Sequence, residues 1–485
     1  MYLLKPELHT RRAFLRRSGH LALAGSALPI ALNLATMAEA AAQTATDYKA
    51  LVCVFLYGGN DYANTVVTHD DASYNAYAAI RGGAADQSGG GIALPKAALT
   101  PTLLQPTLAL PDSRQYALHP AMTALANLYN TEGKVAVQLN VGPLVEPITR
   151  VQYQTRAKKI PPKLFSHNDQ QSTWQSSSPE GSIVGWGGNL GDLMLAQNTN
   201  SLFTCMSVSG NAVFLSGDTA LQYQVGTGGA VKINAINGNV YGSSSVRAAM
   251  AQLLTQASGH TLESEYCRVT QRAITAEGSI TSAIGAAYPA GVFPADNNLA
   301  SQLAMVARLI RGRGTLGARR QVFFVSMGGF DLHDNLIANQ PGLLGRVSEA
   351  MAAFHREMKV QGLSDQVTQF TASDFGRTLA SNGDGSDHGW GGHHFVVGGA
   401  VKGKDKIYGT APVVSINNNP ALAGYDGHVG QGRLIPSTSV DQYAATLASW
   451  FGVPDAELAG ILPNLKNFGV TANGIDYPRN LGFMA

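Results

Sequence analysis

The chain has 485 residues, with 34 basic against 32 acidic side chains, and the resulting net charge of +2 excludes the broad positive face that a nucleic-acid binder needs. An apolar content of 45% with 54 glycines fits a large globule with long loops rather than a disordered or fibrous chain. Cys53, Cys205 and Cys267 are too few and too widely spaced for a disulfide framework or a zinc ribbon, and read as buried structural cysteines.

Chain order begins with Thr10-Arg11-Arg12-Ala13-Phe14-Leu15-Arg16, a paired arginine ahead of an apolar dipeptide, as in a twin-arginine export signal. The apolar stretch from Leu21 to Leu34 is interrupted by Gly, Ser, Pro and Asn and is shorter than the ~20 residues that span a bilayer. Ala38-Glu39-Ala40 or Ala40-Ala41-Ala42 supplies small residues for cleavage, so residues 1–40 are expected to be a signal peptide. The expectation is a protein exported in folded form by the twin-arginine translocation machinery, to the periplasm or outside the cell, with no stable membrane span.

Ala50 to Leu56 (ALVCVFL) is a continuous apolar run that ends in Gly58-Gly59-Asn60-Asp61, as expected of a central parallel strand covered on both faces. Asp70 to Asp112, rich in Gly and Pro, reads as an irregular excursion. Leu118 to Tyr129 has helical spacing, and Lys134 to Val141 is the next strand. In the middle third, Val184 to Gln197 and Val246 to Gln256 are expected helices, Phe203 to Val208 a strand, and Gly226 to Gly242 a hairpin or loop. Leu262 to Ile310 is mostly helical, with a break at Tyr288 to Pro294. Gln321 to Ser326 is a strand that runs into Gly328-Gly329-Phe330-Asp331-Leu332-His333. Leu343 to Val360 is a helix, Gln366 to Thr371 a strand ending in Ser373-Asp374, His394 to Val397 a strand, and Asp441 to Phe451 a closing helix.

Ligands of open parallel sheets bind at the carboxyl ends of the strands. Asp61, Asp331 with His333, and Asp374 each follow such a strand, and His388 just precedes the next, so all are expected at one edge. A lone Asp after a Gly turn is a turn residue or a helix cap; several together with imidazoles fit a divalent cation, which offsets their mutual repulsion. Oxygen mixed with imidazole permits one or two ions of zinc, manganese, iron or calcium.

The phrases FLYGGNDYANTVV (Phe55 to Val67), GGFDLHDN (Gly328 to Asn335), FTASDFGRT (Phe370 to Thr378), DHGWGGHHFVVGGAVKG (Asp387 to Gly403), STSVDQYAATLASWFG (Ser437 to Gly452) and ILPNLKNF (Ile461 to Phe468) resemble the bacterial domain of unknown function 1501. That family is grouped with the alkaline phosphatase and sulfatase superfamily. The resemblance implies an α/β fold with an alkaline-phosphatase-like central, mostly parallel sheet and helices on both faces. It would occupy residues 41–485, with a helical and loop-rich insertion around 210–300. It also implies metal ligands at Asp61, Asp331, His333, Asp374 and His388, but Phe375 stands where the superfamily's S/T-D-H element has its histidine. His167, His393 and His394 are the substitutes at hand.

A superfamily enzyme also needs a nucleophile. The three cysteines lack the following Pro or Ala and Arg of a formylglycine site, which leaves Ser166 of Phe165-Ser166-His167-Asn168-Asp169, with His167 beside it. Ser166 equally fits a helix N-cap. Arg377 fits an anion-binding arginine or a structural salt bridge. Asp374-Phe375-Gly376 is not the kinase magnesium motif, since no glycine-rich loop or His-Arg-Asp loop accompanies it, and Gly398 to Asp405 lacks the Ser or Thr of a phosphate loop. Two functions remain open: an exported metal-dependent hydrolase of phosphate or sulfate esters, with a small ester or glycan as substrate, and a non-catalytic binding or assembly protein that keeps a partial metal site.

Overall fold

The computed structural model describes residues 47–256, 259–416 and 427–485; the export signal expected over 1–40 lies outside them. Continuous apolarity in Lys49–Leu56 (β1) has a simple cause. Ala50, Val52, Val54 and Leu56 enter one core cluster, whereas Leu51, Cys53 and Phe55 enter a second on the opposite face. Neither side of the strand meets water, so neither side needs a polar residue.

Around β1 lie Val135–Gly142 (β2), Cys205–Ser207 (β3), Gln222–Gly226 (β4), Gly229–Ala230 (β5), Arg320–Met327 (β6), Val367–Ser373 (β7), Gly392–Gly398 (β8) and Thr438–Ser439 (β9). They form a nine-stranded sheet in the order β9-β2-β8-β7-β1-β6-β3-β4-β5. β1 pairs in parallel with β6 and β7, and β8 runs antiparallel between β7 and β2.

The helices that concern the site or the core are Tyr62–Thr65 (α1), Asp71–Ile80 (α2), His167–Ser176 (α3), Trp186–Met194 (α4), Asn298–Arg311 (α5), Leu336–Val360 (α6) and Val440–Phe451 (α7). α5 and α6 press Leu303, Val306, Val347 and Phe354 into the first core, and α4 and α7 press Leu190, Tyr443 and Leu447 into the second. The fold is therefore the α/β architecture the resemblance implied: a central, mostly parallel sheet with helices on both faces. Among the described residues, no helix is long and apolar enough to cross a membrane.

Several elements differ from expectation. The excursion after Asp70 contains α2, whose start is capped by Asp70 Oδ1 accepting from the Ser73 amide at 3.0 Å. Leu118 to Tyr129 is not one helix: Tyr116–Leu118 pairs as a strand with Val66–Thr68, and only Thr123–Asn127 is α-helical before a wider turn. α3 has too few apolar residues to show a periodic face, and the N-cap reading of Ser166 is its one mark in the sequence.

The orientation of β8 decides where His388 sits. Because β8 runs against its neighbours, its beginning lies beside the carboxyl ends of β7 and β2. A histidine just before β8 thus reaches the same edge as the residues just after β1, β6 and β7.

Candidate metal centre

The exits of β1, β6 and β7 are pressed together at this edge. Gly58 takes φ +116°, and a Cβ there would stand 2.4 Å from the Asp331 amide nitrogen; one on Gly59, at φ +80°, would stand 2.3 Å from the Phe375 ring. Only glycine fits both the conformation and the space. The glycine pair after β1 is thereby explained by crowding between two functional loops.

His167 is the first residue of α3 and Gln171 lies one turn later on the same face. Both reach Asp374: His167 Nδ1 is 2.7 Å and Gln171 Nε2 2.8 Å from Asp374 Oδ2, which also accepts from the Gly58 amide at 3.2 Å. His388 ends the hairpin formed by Arg377–Ser381 and Ser386–His388, and its Nδ1 lies 2.8 Å from the Phe165 carbonyl oxygen. His333 Nδ1 lies 3.1 Å from Asp387 Oδ1.

A carbonyl or carboxylate oxygen can only accept, so in a neutral ring each Nδ1 carries the proton and each Nε2 presents a lone pair. Those lone pairs converge. His388 Nε2 is 3.1 Å from His167 Nε2 and 3.0 Å from His333 Nε2. Asp331 stands among them, with Oδ2 at 3.4 Å from His167 Nε2 and Oδ1 at 3.3 Å from His388 Nε2 and 3.2 Å from His333 Nε2.

His167, Asp331 and His388 each place a ligand atom within 4.8 Å of the others. Two nitrogens bound to one ion at about 2.0–2.1 Å stand about 3.0–3.4 Å apart, so the spacing suits a single cation. Nitrogen-rich ligands with one carboxylate suit zinc, iron or manganese better than calcium.

The surroundings shift the two imidazoles in opposite directions. The hydrogen bond to Asp374, opposed by desolvation and reinforced by the charges of Asp374 and Asp331, raises the pKa of His167. Desolvation lowers that of His388, helped by the nearby positive charges of His167 and Arg377. A protonated His167 can then donate to a neutral His388 across the 3.1 Å gap. For Asp331, desolvation acts upward but the Arg377 hydrogen bond and charge outweigh it, so its pKa is lowered and it stays ionised. Side-chain exposures of 28% for His167, 24% for His388 and 43% for Asp331 leave one side of the cluster open to water. Phe375 closes the other, its ring centroid 4.8 Å from His167 and 4.7 Å from His388.

The expected residues divide. Asp331, His333 and His388 meet as ligand-type groups, and His167 joins them. Asp374 instead holds His167 in place, and its buried Oδ1 has no hydrogen-bond partner among the described residues. Asp61, expected as a ligand, has both oxygens engaged elsewhere: Oδ1 accepts from the Asn64 amide at 2.9 Å, and Oδ2 from Arg81 Nη2 at 2.6 Å and Ser386 Oγ at 2.7 Å.

Arg377 is fully buried and spends Nη1 on Asp331 Oδ1 at 2.5 Å and on the Gly58 carbonyl at 3.2 Å. Ser166 occupies the N-cap position of α3, yet its hydroxyl donates to Asp169 Oδ2 at 2.9 Å rather than capping a backbone amide. Of the substitutes for Phe375, His393 and His394 are buried within the sheet, His393 Nδ1 accepting from the Asn140 amide and His394 lying against Trp174. His167 alone of the three reaches the cluster.

Comparison with solved structures gives low-similarity matches. The PsFucS1 sulfatase from Pseudoalteromonas sp. aligns at a TM-score of 0.35 and 9% identity, covering 93% of this chain and 77% of its own. Ps i-CgsB, solved in complex with k-i-k-neocarrahexaose, aligns at 0.33 and 10% identity, covering 87% and 77%. No match is found among curated proteins. A family model does match, over residues 48–422, and the chain accordingly belongs to the DUF1501 family of proteins of unknown function.

Proposed function

We propose that this protein is an exported, metal-dependent hydrolase of phosphate or sulfate esters. One observation carries the reading: His167 and His388, each anchored through Nδ1, direct their Nε2 atoms at each other and at Asp331 beside an opening to water. His167, His388 and Asp331 would hold the ion, with His333 as a further ligand. A divalent cation bound there would act as a Lewis acid on an ester oxygen and lower the pKa of a nucleophile beside it.

The chain's own groups have separable tasks. Asp374, Asp387 and the Phe165 carbonyl fix the imidazoles, and Arg377 orients Asp331. Ser166, next to His167 and hydrogen-bonded to Asp169, is the proposed nucleophile. The test is elemental analysis of the purified protein followed by a screen of phosphate and sulfate esters. The expected result is about one ion per chain and hydrolysis that H388A abolishes, with Ser166→Ala lowering kcat at unchanged metal content.

A second reading has its own support. Ser166 and Arg377 both already have protein partners, which suits a protein that uses the ion for binding or assembly rather than for catalysis. Bound metal without hydrolysis across both ester classes would decide for it. Export by the twin-arginine machinery is tested by R11K/R12K, expected to leave the protein in the cytoplasm.

A further inference from the structure

With Arg377 buried and committed, an anionic ester at this mouth needs another cation. We propose that Arg433 recognises a tetrahedral oxyanion, phosphate or sulfate, beside His388. This inference rests on the reading of His167, His388 and Asp331 as a cation site.

Arg433 is tied to the cluster twice. Its Nε donates to the His388 carbonyl oxygen at 2.7 Å, and its guanidinium lies 5.3 Å from the centre of the Phe165 ring. The carbonyl of that same Phe165 faces His388 Nδ1. One arginine thus touches both the ligand histidine's backbone and the residue that orients its ring. Its position is rigid, because the Arg433 amide donates to the Gly430 carbonyl at 2.9 Å, and the Leu434 carbonyl next to it accepts from the Gly391 amide at the start of β8. Gly432 packs so closely on the Arg377–Ser381 hairpin strand that a Cβ there would stand 2.3 Å from the Leu379 Cβ.

Anchoring consumes only Nε. Among the described residues, neither Nη of Arg433 has a hydrogen-bond or ion-pair partner, and the residue is half-exposed. Two parallel N–H groups on a held guanidinium match two oxygens of a phosphate or sulfate, whereas a neutral ester offers no such pair. Lys163, just before Ser166, is already 3.4 Å from Asp169.

The experiment titrates inorganic phosphate, sulfate and acetamide separately into zinc-loaded full-length protein by calorimetry, with metal content measured in parallel. Phosphate or sulfate should bind and acetamide should not, and R433M should weaken the anion by about 10- to 100-fold at unchanged zinc content. R433K, which keeps a charge but not the fork, should fall between, and serves alone should R433M not fold. Unchanged anion affinity in both variants overturns the proposal and leaves the cation site intact. Loss of zinc together with the anion also overturns it, since Arg433 would then act by positioning His388. A wild-type protein that takes up no zinc overturns the cation reading and this inference together.

Discussion

Asp61 and Asp331 follow adjacent strands, β1 and β6, at one edge of one sheet, yet they do opposite things. Asp61 is 2% exposed, and its partner Arg81 is wholly buried and also bonds Asn64 Oδ1, which in turn accepts from Tyr77. Both oxygens of that carboxylate find donors within the fold. Asp331 is held on one side by Arg377 and otherwise faces imidazole nitrogens across a wet opening. A buried arginine reaches both carboxylates, but Asp61 is also closed in by the Asn64 amide and the Ser386 hydroxyl, whereas Asp331 keeps an exposed side turned toward imidazole nitrogens.

The contrast is broken or sharpened first by R81M. Removing one member of a buried ion pair leaves the other uncompensated, so a loss of about 3–5 kcal/mol is expected in urea unfolding, with metal content per folded molecule unchanged. Wild-type stability with lost metal would move Asp61 to the other side of the comparison. H388A should do the reverse, abolishing metal retention against a competing chelator while leaving the urea midpoint of the metal-free protein close to wild type.

A smaller effect is expected of D374N. Asp374 acts through His167, so metal affinity should fall about 10- to 100-fold while saturation remains attainable. If D374N instead retained no metal at any concentration, the orphaned Oδ1 would belong to a ligand.

The smallest effect concerns the buried histidines. Desolvation lowers the pKa of His394 to about 3 and of His393 to about 3, against the ordinary 6.5. Folded protein then binds fewer protons than unfolded chain between those values, so stability is full above about pH 6.5 and falls as the pH drops toward 3. Substituting His394 by Gln should remove about one proton from the slope of stability against pH over that window. An unchanged slope would show that His394 is already charged in the folded state.

Much of the scaffold was legible in one dimension. Runs such as Ala50 to Leu56 are apolar on both faces because both faces are covered, and such runs announce central strands without reference to anything distant. Clustering of Asp and His beside the strand ends pointed to Asp61, Asp331, His333, Asp374 and His388 alike, since strand ends carry the ligands of parallel sheets. α3 was not legible as a helical face: with polar residues at most positions it has no apolar period, and His167 could be read only as a neighbour of Ser166 or as one of three substitutes for the histidine missing at 375. Nor was the fate of Asp61, because the arginine that takes it sits twenty residues on at the end of α2, and nothing in the spacing distinguishes that pairing from a free carboxylate.

What the sequence determined by itself was therefore an α/β sheet, the edge at which polar loops gather and the inventory of side chains there, because hydrophobic periodicity and strand-end position are local properties of the chain. Only the tertiary structure decided which lone pairs remain unspent. Phe375 illustrates the point. Read alone it looked like a missing ligand, but in three dimensions its ring backs His167 and His388 while α3, from a distant part of the chain, supplies the imidazole. Hydrogen-bond saturation is a property of neighbours in space, and only folding chooses them.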